Sequence, residues 1–81
     1  MAARIYYEVL PAGDGKRWRV TRAGKGKETH ATQAAAIEEA VDAASTEWRV
    51  TGEPTGLRIK GRNGRIRDER SYGNDPHPPA G

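Results

Sequence analysis

The sequence has no cysteine and no phenylalanine, a single methionine and only two histidines among its 81 residues. Without cysteine there is no disulfide framework, no thiolate zinc site and no cysteine nucleophile. Leu, Ile and Val together number ten, and twelve of the apolar residues are alanine. So small a stock of bulky side chains argues against a sheltered catalytic chamber. It also makes a chain of this length marginal in the surface it can bury. No run of 18 uncharged apolar residues occurs, so no helix of membrane-spanning type is expected. Ile5-Tyr6-Tyr7-Glu8 is too short for the apolar stretch of a secretory signal, and a cytoplasmic protein is expected. A large net charge is missing too, since 14 basic and 11 acidic residues leave +3. Few aliphatic residues point to disorder only when net charge is high, so a folded domain is the reading. One domain over residues 1–70 is expected, followed by a Pro/Gly-rich irregular tail over 71–81.

Residues 4–10 alternate, with Ile5, Tyr7 and Val9 on one face and Tyr6, Glu8 and Leu10 on the other, as a strand requires. Pro11 to Gly15 reads as a turn. Residues 16–22 alternate again, with Trp18 and Val20 opposed to Arg17, Arg19 and Thr21. A second turn over residues 23–26 leads to a weak third strand over 27–31. Thr32 then caps a helix rich in Ala and Glu. Ile37, Val41, Ala44 and Trp48 form its apolar stripe, widened by Ala36 and Ala40, and Gly52 supplies a left-handed stop. Glu38, Glu39 and Asp42 fall on its wet side. Leu57 to Lys60 reads as a strand, and Asn63-Gly64 is a hairpin signal of the type that needs positive φ at both central residues. That register sets Gly61 opposite Ile66 and Lys60 opposite Arg67. It turns Leu57, Ile59 and Ile66 to the core and Arg58, Lys60, Arg65 and Arg67 outward. The expected fold is α+β: one mostly antiparallel sheet with a single helix packed on one face, in the order β-β-(β)-α-β-β. One helix covers one side of a sheet, so the other side meets water or a partner.

Several segments together carry a family resemblance. They are Trp18 with the basic stretch after it, Thr32-Gln33 opening the Ala/Glu helix, and Gly61-Arg62-Asn63-Gly64-Arg65-Ile66-Arg67-Asp68. Tyr72-Gly73-Asn74-Asp75-Pro76 and Pro78-Pro79-Ala80-Gly81 complete the set. With these the chain resembles the bacterial domain-of-unknown-function family 2188. The resemblance implies a small α+β domain and brings no catalytic residues. At the level of architecture alone, the fold is also similar to the arm-binding domains of tyrosine integrases, which lay a sheet against duplex DNA.

The charges are segregated along the chain. Residues 1–31 carry a balance of +4, residues 32–50 of −3 and residues 51–81 of +2. The strands are therefore basic and the helix acidic, and the bare sheet face is expected to gather the cations. Arginine suits polyanions because its planar fork bridges phosphate oxygens and stacks on bases. The candidate nucleic-acid-binding residues are Tyr6, Arg17, Arg19, Arg58, Lys60, Arg62, Arg65 and Arg67, with Tyr6 as a stacking surface and the Arg62–Arg67 hairpin as a ribbon for a groove. The expectation is a non-enzymatic nucleic-acid-binding domain, for duplex DNA. The alternative is a protein-interaction module, either a homodimer or a small inhibitor or adaptor of another protein, one that presents an acidic surface. A solvated face with cross-strand ion pairs, Glu8 to Arg17 or Arg19, is the bland reading of the same charges. His30 and His77 stand 47 positions apart with no ligand pattern, and Asp68 and Glu69 alternate to opposite faces. No metal, no cofactor and no Ser-His-acid site is expected.

Overall fold

The computed structural model describes residues 4–73. The expected irregular tail lies, from residue 74 on, outside the described residues. The described chain forms β1 (Ile5–Pro11), β2 (Trp18–Arg22), β3 (Lys25–His30), α1 (Gln33–Thr51), β4 (Thr55–Lys60) and β5 (Ile66–Tyr72). The strands make one five-stranded sheet in the order β3-β2-β1-β4-β5. Three of its four pairings are antiparallel, while the central β1 and β4 run parallel. The helix supplies the crossover that a parallel pair needs. β5 continues through Tyr72, two residues beyond the boundary expected at 70.

The core lies between α1 and one sheet face. Tyr7 and Val9 of β1, Trp18 and Val20 of β2, and Leu57 and Ile59 of β4 are buried there against Ala36, Ala40 and Ala44. The expected helix stripe is rotated. Alanines form its centre, while Ile37 and Val41 lie half-buried on its flank. Alanine lets the helix approach the sheet closely, so the bulk comes from the strands. The same approach lets the buried Thr55 hydroxyl donate to the Ala44 carbonyl at 2.8 Å. Trp48 is half-buried rather than part of this core and stands beside Pro54 and Gly73. Thr32 caps the helix as expected, its hydroxyl accepting from the Ala35 N–H, and Gly52 ends it at φ 77°.

The two hairpins exchange roles relative to expectation. Ala23 and Gly24 both have positive φ, 53° and 83°, and join Arg22 to the paired Lys25 in a two-residue turn. At Asn63-Gly64 only the glycine has positive φ. The Asn63 side-chain oxygen accepts from the Arg65 N–H at 3.0 Å, and the Gly64 N–H donates to the Gly61 carbonyl. The Asn side chain thus holds its own backbone in an Asx turn, and the loop takes three residues. Lys60 consequently pairs with Ile66, and the register slips before Ile59 meets Asp68. That bulge at Arg67 reverses two expected faces. Ile66, expected in the core, is 52% exposed. Arg67, expected on the bare face, lies along Gly61 on the helix side and donates to the Gln33 side chain at 3.1 Å. Beyond the bulge the register is the one the Asn63-Gly64 turn implies.

Candidate nucleic-acid interface

Alternation along the strands puts Tyr6, Glu8 and Leu10 of β1, Arg19 of β2, and Arg58 and Lys60 of β4 on the face that α1 leaves bare. The middle of this face is occupied by ion pairs. Arg58 donates to the Glu69 carboxylate at 3.0 Å and stacks over the Tyr6 ring at 3.8 Å. The bond to Glu69 holds the Arg58 guanidinium above its ordinary pKa. Lys60 stands 3.7 Å from the Glu8 carboxylate, so Glu8 neutralises a β4 lysine rather than Arg17 or Arg19. Tyr6 lies flat over Gly56, where an added Cβ would come within 2.5 Å of the ring. Its upper surface is taken by Arg58, so it does not present the open stacking platform expected of it.

The remaining candidate cations collect at one end of the sheet. β1, β3 and β4 run in one direction and β2 and β5 in the other, so the β1–β2 and β4–β5 loops lie side by side. The start of α1 is at the same end, where the Gln33 amide donates to the Lys60 carbonyl at 3.1 Å. Arg62 leaves its own hairpin and crosses to the neighbouring loop. It donates to the Gly15 carbonyl at 2.6 Å and covers the Trp18 ring at 4.7 Å. It therefore stands at the end of the sheet and not on the bare face. Arg17 grips the edge strand through the Thr29 hydroxyl and carbonyl, at 3.0 and 3.3 Å. Arg19 lines a shallow hollow with Gly26, Glu28 and Thr29, and Arg65 is exposed at the hairpin tip. Lys16, which the sequence argument did not single out, joins them on the β1–β2 loop. Among the described residues none of Lys16, Arg17, Arg19, Arg62, Arg65 and Arg67 has a carboxylate within 4.0 Å.

Asp14 is the acidic residue of that loop, and its work is local. It accepts from the Lys16 and Arg17 backbone N–H groups at 2.9 and 3.0 Å, which lowers its pKa below the ordinary carboxylate value. The opposite end holds a compact network in which Arg22 forks onto Glu47 at 2.7 and 3.0 Å, and the Tyr7 hydroxyl donates to the same carboxylate at 2.5 Å. Burial and the neighbouring Glu47 raise the Tyr7 pKa, while Glu47 raises that of Arg22. The acidic helix surface is correspondingly smaller than expected. Glu47 turns toward the sheet, and Glu39 is half-buried with its carboxylate 3.7 Å from His30. Glu28, on β3, stands 3.8 Å from the same His30 nitrogen.

These features define a small α+β domain with a mixed sheet. Among the described residues, six cations without a carboxylate partner lie toward one end and Arg4, Lys25 and Arg49, equally without one, toward the other. The chain belongs to the family described as an uncharacterized protein conserved in bacteria, DUF2188, whose pattern matches residues 7–72. No curated protein and no solved structure matches it. No described helix is long and apolar enough to cross a membrane.

Proposed function

We propose that the chain is a non-enzymatic, cytoplasmic nucleic-acid-binding domain that grips duplex DNA with the end of its sheet. The observation that carries this reading is the group of six cations without carboxylate partners among the described residues: Lys16, Arg17, Arg62 and Arg65 on or beside the two adjacent loops, Arg19 on β2 and Arg67 at the start of β5. The dipole of α1 adds positive potential at that end, since its first turn carries no acidic residue to offset it. Arg58 and Lys60, matched by Glu69 and Glu8, contribute less, because a paired cation gives up part of its attraction for phosphate.

The test is binding to a labelled duplex over a range of salt concentrations. Four or five neutralised phosphates give a log K against log salt slope of about −4. Absence of binding at low salt would end this reading. Docking of a second copy draws its support from Ile66, a large apolar residue 52% exposed on the edge strand β5, while an acidic protein surface would use the same six cations as DNA. Sedimentation separates the two. A monomer that binds the duplex supports the first reading, and a stable dimer indifferent to DNA supports the second.

A further inference from the structure

We propose that Glu28, His30 and Glu39 form a binding site for a divalent transition-metal ion of the zinc class. Glu28 and His30 are two apart on β3 and so share the sheet face that looks toward the helix. Glu39 comes from the flank of α1, one position before the buried Ala40. The fold thus brings three donors from two elements to one place at the rim of the sheet.

Their geometry is that of a ligand set slightly open. The His30 Nε2 lies 3.8 Å from a Glu28 oxygen and 3.7 Å from a Glu39 oxygen. All three donor atoms fall within 4.8 Å of one another. Ligands about 2.0–2.1 Å from a tetrahedral ion stand roughly 3.3–3.5 Å apart, so a small inward movement of the glutamates closes the set. The observed separations are too long for hydrogen bonds. A second observation points the same way, because the His30 Nε2 is buried and has no hydrogen-bond partner among the described residues. A buried ring nitrogen facing two carboxylates without bonding either is what an ion between them would satisfy, with Nε2 as the unprotonated nitrogen of the ring.

The donor chemistry sets the class of ion. Imidazole with two carboxylates suits zinc and its neighbours, whereas magnesium and calcium prefer oxygen alone. Three protein ligands leave a fourth position, and the Glu28 side chain is 62% exposed, so that position opens to solvent. This inference does not depend on the nucleic-acid reading, since the site lies between β3 and α1 and uses none of the six cations.

The experiment titrates the full chain with Zn²⁺ by calorimetry and follows the imidazole resonances by NMR. One equivalent is expected to bind, with a Kd of about 10 µM or tighter, and to perturb the His30 ring. His30→Ala, Glu28→Gln and Glu39→Gln are each expected to weaken it at least about tenfold, and His77→Ala to leave it unchanged. The conservative glutamine variants keep the test decisive if His30→Ala does not fold. Binding lost in His77→Ala, binding that survives the glutamine variants, or Mg²⁺ competing as well as Zn²⁺ would each overturn the proposal. So would the absence of any response at about 1 mM Zn²⁺.

Discussion

The Arg62 guanidinium donates to the Gly15 carbonyl across 47 positions of sequence, at 2.6 Å, and so clasps the β4–β5 hairpin to the β1–β2 loop. Stacking on Trp18 secures the same side chain from below. Two loops that are separately basic are thereby held as one surface.

Paired and unpaired cations are expected to behave differently in DNA binding. Arg19→Ala with Arg65→Ala removes two free phosphate contacts and lowers the salt slope by about 2. Arg58→Ala with Lys60→Ala removes the same formal charge but also frees Glu69 and Glu8, and loses no carboxylate-free cation. Its effect on the slope is expected to be less than about 1. Equal slopes for the two double variants would show that ion pairing on the bare face is irrelevant to binding.

The Ala23-Gly24 turn is built with a suboptimal residue. Ala23 holds φ 53°, a left-handed conformation that costs an ordinary L-residue about 1–2 kcal/mol. Asparagine tolerates it better and is the preferred first residue of this turn. Ala23→Asn is expected to stabilise the domain by about 0.5–1 kcal/mol, read from urea unfolding at constant m.

Gly56 makes room for Tyr6. A Cβ at that position would meet the ring at 2.5 and 2.8 Å, so Gly56→Ala displaces Tyr6 and the Arg58 stack above it. The expected cost is about 1–3 kcal/mol. If the ring is the obstacle, most of that cost disappears in a Tyr6→Ala background, which a double-mutant cycle measures.

Tyr7 gives the domain an alkaline limit. Burial and Glu47 raise its pKa above 10.0, so the folded state favours the neutral phenol. That contribution is fully present below the unfolded-state value and is lost as pH rises through the folded one. Tyr7→Phe is expected to cost about 1–2 kcal/mol near neutral pH, because Glu47 loses a donor. It is also expected to flatten the fall in stability above about pH 10, measured by urea unfolding across that range.

Several parts of the fold follow from local patterns. Ile5, Tyr7 and Val9 alternate against Tyr6, Glu8 and Leu10, Thr32 and Gly52 bracket the helix, and the single helix commits one sheet face to the core. Such signals need no distant partner, because strand period, cap chemistry and left-handed glycine act within a few residues.

The rest was decided by tertiary contacts. Asn63-Gly64 is compatible with two turn geometries, and the longer one, held locally by the Asn63 oxygen bond to Arg65, is the one in which Arg62 reaches the Gly15 carbonyl and Arg67 the Gln33 side chain, with Ile66 carried out to solvent. Alternation predicts which face a strand residue takes but not which neighbours its charge will meet. The parallel β1–β4 pairing is what sets Glu8 beside Lys60 and brings the two basic loops together. His30 has no ligand pattern in sequence for the same reason. Glu28 is visible two residues away, but Glu39 joins them only because the helix packs back across the strand that precedes it. Local chemistry chose the elements of this protein, and the long-range packing of α1 and β4 chose which of its charged groups face one another.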